Sequence, residues 1–334
     1  MSETPARADS LRPMKTARIH GRAFLAARIL RQIWNHPANE HCRRRAVLRS
    51  VTWQVRKRSP RSTVNVSAYG LHLNLPRMSG SLSNFFYFGE SFEWSNIEFI
   101  RRYLRPGDTV LDVGANVGMF SYAALQMVGS TGHVTAVEPL PWAAHVIEAN
   151  ASLNHLTSNF QVRALAVSES AGTTRFVADA DVSSHISYTS PMETQSATIE
   201  VKTAALDDLI GAGPVSLVKL DVEGAEHLAL RGFRGHLASG SVATIILEAH
   251  DHSLREMGSS RSEVVELLAA FGYCLFSYDA QSHELSLAEV DTTDDVIAVH
   301  ESALKSVIDR LSETSRRSVT SGRDPHRDFG EHFG

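Results

Sequence analysis

The stretch that decides the fold is residues 110–120, Val-Leu-Asp-Val-Gly-Ala-Asn-Val-Gly-Met-Phe. An apolar run meets an acid, passes through a turn of small residues and continues into an apolar helix. Gly114 and Gly118 let the backbone approach a ligand closely, because neither carries a Cβ. Asn116 stands where a dinucleotide-binding G-x-G-x-x-G turn has its second glycine. The stretch therefore predicts the first strand and turn of an α/β sheet that binds a nucleotide-like ligand with an amino-acid moiety.

A second apolar strand also ends in an acid. Residues 133–138 are His-Val-Thr-Ala-Val-Glu, and Glu138 follows Gly114 by 24 positions. A carboxylate at the tip of the second strand can accept hydrogen bonds from both hydroxyls of a ribose. Helical and strand patterns alternate from residue 93 to about residue 250, which predicts a mostly parallel sheet with helices on both faces.

A third segment, residues 215–226, is an apolar strand that ends in charges, Val-Ser-Leu-Val-Lys-Leu-Asp-Val-Glu-Gly-Ala-Glu. It resembles the K-x-D-x-E-G-x-E signature of the FkbM-type family of class I S-adenosylmethionine-dependent methyltransferases. Four shorter elements resemble the same family: an aromatic–Glu element at 89–93, an L-x-P-G-D turn at 104–108, an E-x-H strand end at 248–250 and a G-Y turn at 272–273. The resemblance covers about residues 64–300.

The resemblance implies a Rossmann-like class I methyltransferase fold. Its sheet is mostly parallel and seven-stranded, with an antiparallel last strand and helices on both faces. The implied activity is O-methylation of a hydroxyl on a small molecule or glycan, such as a sugar, glycolipid or polyketide. N-methylation, including that of RNA, is an alternative, although residues 219–226 do not resemble the N/D-P-P-Y/F strand end of such RNA enzymes. A non-catalytic domain that binds S-adenosylmethionine is a second alternative.

The expected site residues lie at the carboxyl ends of the strands, where open α/β sheets bind ligands. The residues expected to bind S-adenosyl-L-methionine are Glu93, Asp112, Gly114, Ala115, Asn116, Gly118, Glu138 and Asp221. The expected catalytic residues are Lys219, Asp221, Glu223, Glu248 and His250. Because side chains alternate along a strand, Asp221 and Glu223 are expected to share a face with Lys219. A hydroxyl acceptor must lose its proton, and Asp221 or His250 is expected to take it.

Several of these residues can have a structural role instead of a catalytic or binding role. Lys219 can form an ion pair with Asp221 or Glu223, and His250 can be an exposed loop histidine. Glu226 is expected to cap the following helix, where acids favour the macrodipole. Two asparagines after the second-strand helix, Asn150 and Asn154, are expected to be turn and capping residues. A divalent metal ion held by Asp221, Glu248 and His250 is a less favoured alternative.

Composition limits the compartment. Two cysteines, Cys42 and Cys274, provide no disulfide framework, which favours a reducing compartment. No apolar run approaches the ~20 residues of a spanning helix, and no signal-peptide core is recognised near the N-terminus. The predicted localisation is cytoplasmic, with peripheral attachment to the inner membrane surface as an extension of that prediction.

The charge is unevenly distributed. Residues 1–61 contain 15 Lys and Arg against 3 Asp and Glu, a balance of +12, whereas the remainder has 18 against 34, a balance of −16. Apolar residues recur at helical spacing from Met14 to Asn35, which predicts a basic amphipathic helix that ends before Pro37. The basic leader is expected to pack its Ile19–Trp34 stripe on the catalytic domain, to lie on an anionic membrane surface through residues 14–61 with Ile33 and Trp34 inserted, or to contact nucleic acid as a disordered arm. The acidic remainder disfavours nucleic acid as substrate.

Three regions follow from this division. Residues 1–61 are a basic extension, residues 62–302 are the methyltransferase domain, beginning with a β-hairpin at 64–75, and residues 303–334 are a polar tail that is expected to be disordered. A Ser/Thr-rich segment at 179–198 is expected to form a loop over the site.

Overall fold

The computed structural model describes residues 27–58, 63–77, 79–91, 93–156, 158–178, 197–211, 213–289 and 295–321. The chain divides into two compact units, which are residues 1–60 with 83–92, and residues 61–82 with 93–334. Residues 83–92 thus belong with the basic extension, although they follow the predicted start of the methyltransferase domain. Residues 1–26 and 322–334 lie outside the described residues, as do residues 179–196 of the predicted loop at 179–198. The last two residues of that predicted loop, 197 and 198, are instead the start of a strand.

The first unit is built from short helices. It contains α1 at residues 27–35, α2 (Arg43–Arg56), the end of α3 (Gly80–Phe88) and the 3-10 turns Pro37–Asn39 and Gly89–Ser91. The Trp53 ring stacks on Phe86 with centroids 4.5 Å apart, and the Arg49 Nε donates to the Phe86 carbonyl at 2.8 Å. The predicted helix end before Pro37 is confirmed, because α1 stops at Asn35. Ile33 is fully buried, so the expectation that it inserts into a membrane is wrong.

The second unit contains one large sheet whose strand order is β12-β11-β13-β10-β9-β3-β4-β5. Five neighbouring strands from β10 to β5 are parallel. The strand β13 is antiparallel to both β10 and β11, as predicted for the last strand. The strands of this sheet are β3 (Thr109–Val113), β4 (His133–Val137), β5 (Phe160–Arg163), β9 (Val215–Leu220), β10 (Val242–Glu248), β11 (Tyr273–Asp279), β12 (Glu284–Leu287) and β13 (Asp295–His300).

Helices pack against this sheet, which buries their apolar faces away from water. They are α4 (Trp94–Tyr103), α5 (Met119–Val128), α6 (Pro141–Leu153), α7 (Glu226–Arg231), α8 (Arg234–Ser239), α9 (Asp251–Glu256), α10 (Arg261–Ala270) and α11 (Leu304–Ser321), with 3-10 turns at Gly129–Thr131 and Leu206–Asp208. The central strands are apolar on both faces, as is usual for covered parallel strands. One continuous core joins Leu111, Val218, Leu220, Ile245 and Leu247.

Two small sheets accompany the large one. The predicted hairpin is confirmed as the antiparallel pair β1 (Thr63–Ala68) and β2 (Leu71–Pro76). Asn150 Oδ1 accepts from the backbone N–H of Asn74 at 2.7 Å, and Asn154 Oδ1 accepts from that of His72 at 2.9 Å. These asparagines therefore attach the hairpin to α6, a role beyond the predicted turn and capping. The other sheet has the order β6-β8-β7 and contains β6 (Ala166–Val167), β7 (Gly172–Ala178) and β8 (Ala197–Ala204).

Two strand predictions need correction. The large sheet has eight strands in the described residues, not seven, because β12 adds to the edge of β11. Its apolar face consists of only two residues, Leu285 and Leu287, and most of its side chains are exposed, so the alternation was too short to indicate a strand. The single strand predicted at 160–167 is two strands, because the chain leaves the large sheet after Arg163 and Ala166 begins the small one.

The prediction of disorder from residue 303 is wrong for α11. Val307 and Leu311 are buried one turn apart, and Arg310 Nη1 pairs with Asp108 Oδ2 at 2.7 Å. A polar helix is thereby anchored by two apolar residues and by ion pairs, the second of which joins Glu313 to Arg105 at 3.9 Å. None of the helices in the described part of the chain combines the length and apolar character needed to cross a bilayer.

Candidate active site

Four parallel strands end in one row. Val113 is the register partner of Val137 and of Leu220, and Leu220 is the partner of Leu247. The residues that directly follow these four along the chain therefore also lie side by side at the strand ends. Those residues are Glu138, Gly114, Asp221 and Glu248. Register thus places three predicted carboxylates and the predicted glycine turn at one edge of the sheet, where ligands of open α/β sheets bind.

The glycine turn is a tight left-handed path. Gly114, Asn116 and Gly118 have φ values of 87°, 51° and 83°, and this region favours Gly and tolerates Asn. The N–H groups of Gly114 and Ala115 both donate to the Val137 carbonyl, at 2.9 and 3.0 Å. The turn is therefore tied to the end of β4.

Gly114 is required by the protein's own backbone. A Cβ at this position would lie 1.8 Å from the Asp221 carbonyl oxygen, far inside van der Waals contact. Asp221 is held there because its N–H donates to the Val113 carbonyl at 3.1 Å. Gly114 was predicted to lack a side chain so that a ligand could approach, but its missing side chain first makes room for the backbone of Asp221.

Glu138 connects β4 to the turn. Its Oε2 accepts the N–H of Asn116 and its Oε1 accepts the N–H of Leu140, both at 2.8 Å. Each carboxylate oxygen can accept a further hydrogen bond. Burial raises the pKa of Glu138 to about 7, although the two backbone N–H groups oppose the rise. Glu138 is thus half ionised near neutral pH.

One row below the strand ends lies a buried cation among acids. Lys219 is the register partner of Asp112, and only 3% of it is exposed. Its Nζ lies 2.7 Å from Asp221 Oδ2 and 3.7 Å from Glu93 Oε2. Burial alone would lower the pKa of Lys219, yet the carboxylates of Glu93, Asp221 and Asp112 hold it well above its usual value. The predicted pair of Lys219 with Asp221 is confirmed, and Glu93 joins it.

Asp112 is fully buried beneath this cluster. Its Oδ2 accepts the hydroxyl of Ser121 at 2.5 Å, while its Oδ1 has no hydrogen-bond partner in the described part of the chain. Burial raises the pKa of Asp112 to about 6, against the opposing charge of Lys219. Ser121 was missed by the sequence analysis, although it is the one serine of α5 and lies among apolar and aromatic residues at the start of that helix.

The turn after β9 interrupts strand alternation. Glu223 and Gly224 have φ values of 52° and 107°, so the prediction that Glu223 shares a strand face with Asp221 is wrong. Glu226 Oε1 accepts the N–H groups of Gly224 and Val222 at 3.0 and 3.3 Å. This carboxylate is buried and secures the turn ahead of α7, in keeping with the structural role predicted for it.

Glu248 and His250 form a second polar pair at the end of β10. His250 Nε2 lies 3.1 Å from Glu248 Oε1, and the side chains are 44% and 31% exposed, respectively. Burial, together with the negative charges of Asp221 and Asp295, raises the pKa of Glu248 to about 7. Within the described ranges, no three His, Cys, Asp or Glu side chains are grouped so that they could hold a metal ion. The metal alternative therefore gains no support from the geometry.

Comparisons with known proteins agree on the class of protein that this site belongs to. A sequence model described as the methyltransferase FkbM domain matches residues 112–275. A 31-O-demethyl-FK506 methyltransferase FkbM of Streptomyces tacrolimicus is 31% identical over 202 residues, which cover 51% of this chain and 74% of that protein.

Two solved structures are also similar. A methyltransferase FkbM from Methylobacillus flagellatus has a TM-score of 0.39 at 14% identity, over 77% of this chain and 59% of that one. An S-adenosylmethionine-dependent O-methyltransferase from Thermotoga maritima has a TM-score of 0.35 at 14% identity, over 62% of this chain and 64% of that one. The chain thus spans less than two thirds of either structure.

Proposed function

Because this chain belongs to the FkbM family of S-adenosylmethionine-dependent methyltransferases, we propose that its acceptor is a hydroxyl oxygen on a small molecule or glycan. The observation that carries the proposal is the row of carboxylates at the strand ends, with Glu248 set to ionise near neutral pH. A neutral hydroxyl attacks carbon poorly until its proton leaves, so such a base suits it. The curated relative is named for a 31-O-demethyl substrate, which also favours oxygen.

The cofactor-binding role is part of the proposal. Glu138 has spare acceptor capacity on both oxygens, and these suit the two hydroxyls of a ribose. The buried Asp112 Oδ1 lacks a donor in the described part of the chain, and an ammonium group of an amino-acid moiety would supply one. The residues proposed to hold S-adenosylmethionine are therefore Glu93, Asp112, Gly114, Ala115, Asn116, Gly118, Glu138 and Asp221. The bound cofactor supplies an electrophilic methyl group.

We assign proton removal to Glu248. Its raised pKa makes it an effective base at neutral pH, and His250 at 3.1 Å can carry the proton onward. Asp221 is paired with Lys219, which fixes its carboxylate and leaves it suited to orient the acceptor hydroxyl. Lys219 thus holds the carboxylates of Asp221 and Glu93 in place. Glu223 is the least favoured of the expected catalytic residues, because its backbone departs from the strand.

The base assignment is tested with three variants. Glu248→Gln is expected to lower kcat by ~10²–10⁴-fold and to remove the rise of rate with pH through about 7, since only the ionised base accepts a proton. Asp221→Asn is expected to raise KM as well as lower kcat. Glu256→Gln, at an exposed position on α9, is the matched control and should keep the wild-type rate. A wild-type pH profile in Glu248→Gln would contradict the assignment.

The acceptor atom is identified by product analysis. Protein is incubated with S-adenosylmethionine labelled in its methyl carbon and with small-molecule and RNA fractions of a cell extract. NMR of the labelled product distinguishes a methyl group on oxygen from one on nitrogen. Label on oxygen in the small-molecule fraction is expected. Label on nitrogen, or in RNA, would contradict the proposal, and cofactor binding with no transfer to any fraction would favour a non-catalytic domain.

A further inference from the structure

The helix α2 has an apolar ridge that faces solvent. Leu48, Val51 and Val55 are 67%, 50% and 64% exposed. Their spacing of three and four residues places them on one side of the helix. The opposite side of α2 is the one that packs, and its buried residues are Ala46, Ser50 and Trp53. Within the described part of the first unit, the ridge is therefore the outward surface of a helix whose opposite side is already packed.

Positive charge surrounds this ridge. Residues 43–58 contain seven Lys and Arg and no Asp or Glu. Arg44 lies one helical turn before Leu48 on the same side, and Arg45 and Arg56 are exposed beside the ridge. Long arginine side chains can reach past apolar neighbours and hold their charge at a polar boundary. Apolar and cationic groups thus alternate on one accessible surface.

We propose that this surface of α2, consisting of Leu48, Val51, Val55 and the flanking arginines, binds an anionic lipid bilayer. An amphipathic helix of this kind lies in the plane of the interface, with its apolar side chains among the acyl chains and its cations at lipid phosphates. The inference concerns attachment and does not depend on which atom accepts the methyl group.

Two other occupants fit the surface less well. A nucleic acid offers phosphates to the arginines, but three apolar side chains would face its charged backbone without gain. A second copy of the chain could cover the ridge, but it would bring the arginines of two copies together. Because α2 has no acid to compensate them, such a pairing is electrostatically unfavourable.

The experiment is co-sedimentation of the full chain with vesicles. Vesicles of equal parts phosphatidylglycerol and phosphatidylcholine are compared with pure phosphatidylcholine. The chain is expected to pellet with the anionic vesicles only and to be released by salt. The ridge variant, Leu48→Gln with Val51→Gln and Val55→Gln, is expected to bind more than about a hundredfold more weakly, because each lost apolar side chain contributes at least about 1 kcal/mol. Replacing Arg44, Arg45 and Arg56 by Gln should cost roughly fivefold for each arginine.

The controls separate docking from unfolding. Leu287→Gln removes an exposed leucine from β12, which is 76% exposed in the second unit, and should bind vesicles as the wild type does. Fluorescence of the buried Trp53, measured in a background in which the other three tryptophans (Trp34, Trp94 and Trp142) are replaced by Phe, reports whether the first unit of the ridge variant remains folded. A wild-type chain that stays in solution with anionic vesicles at low salt would overturn the proposal. So would a folded ridge variant that binds them as the wild type does, or self-association without vesicles that the ridge variant loses.

Discussion

Replacing Lys219 by Met is expected to destabilise the second unit by removing the cation from a buried cluster of acids. Lys219 is almost fully buried, Asp112 is fully buried, and the two are register partners on adjacent strands. Removing one partner of a buried ion pair costs about 3–5 kcal/mol, because the remaining charge is left uncompensated. Asp221 and Glu93 are 26% and 29% exposed on their side chains, so water can solvate part of their charge. We therefore expect about 3 kcal/mol, the lower end of that range.

The pH dependence of this loss identifies its cause. Burial already raises the pKa of Asp112 to about 6, and Lys219 restrains that rise. Without the cation, the pKa of Asp112 rises further. A carboxyl group whose pKa is higher in the folded than in the unfolded state destabilises the fold when it is ionised. This loss of stability disappears as the pH falls toward the pKa that the group has in the unfolded chain. The deficit of Lys219→Met should therefore shrink as the pH is lowered from about 8 to about 5.

The assay is urea unfolding followed by tryptophan fluorescence at several pH values. Arg231→Met is the matched control, because it breaks an exposed 2.9 Å pair with Glu169, and such pairs contribute at most about 1 kcal/mol. Adding Asp112→Asn to Lys219→Met should recover much of the lost stability, since the uncompensated charge is removed. A deficit no larger than that of the control, or one that grows as pH falls, would refute this reasoning.

Three further results are expected. Gly114→Ala should greatly reduce both stability and cofactor binding, because its Cβ would meet the Asp221 carbonyl oxygen at 1.8 Å. Gly70→Ala is the control, because this position has φ +75° and open space around it, and it should lower the free energy of unfolding by only about 1 kcal/mol. Equal losses of stability in thermal melts would contradict this prediction. In the wild type, protonation of Glu138 should lower the affinity for S-adenosylmethionine roughly tenfold per pH unit below about 7. Glu138→Gln should bind more weakly and lose this pH dependence. A wild-type affinity that calorimetry shows to be independent of pH would count against ribose binding by an ionised Glu138. Asn150→Ala should destabilise the hairpin by about 2 kcal/mol and Asn154→Ala by less than about 1 kcal/mol, because Asn150 is buried and Asn154 is only partly buried. Hydrogen exchange at residues 71–75 measures both losses, and a larger loss for Asn154→Ala would contradict this prediction.

The parallel part of the sheet was predictable because its signals are local. Apolar strands that end in acids, such as those before Glu138 and Asp221, mark the binding edge of an α/β sheet wherever the strands lie in space. The turn at Gly114 and Gly118 was visible for the same reason. The pairing of Lys219 with Asp221 followed from their separation by two residues. The roles of these residues toward the cofactor and acceptor stay predictions.

Other features depend on distant contacts and left little trace in the sequence. The clash that makes Gly114 necessary involves the carbonyl of Asp221, over one hundred positions away. The raised pKa of Glu248 comes from burial and from the charges of neighbouring strands, and periodicity does not report either. The helix α11 appeared too polar to be ordered, yet Arg310 reaches Asp108 from the far end of the chain. The edge strand β12 has only two apolar positions, Leu285 and Leu287, which is too short an alternation to indicate a strand.

Isothermal titration calorimetry of the wild-type chain tests whether the glycine turn and Glu138 bind S-adenosylmethionine. We expect saturable binding, at one site per chain, of both S-adenosylmethionine and its demethylated product, and no heat with NAD. Heat with NAD and none with either sulfur ligand would contradict it.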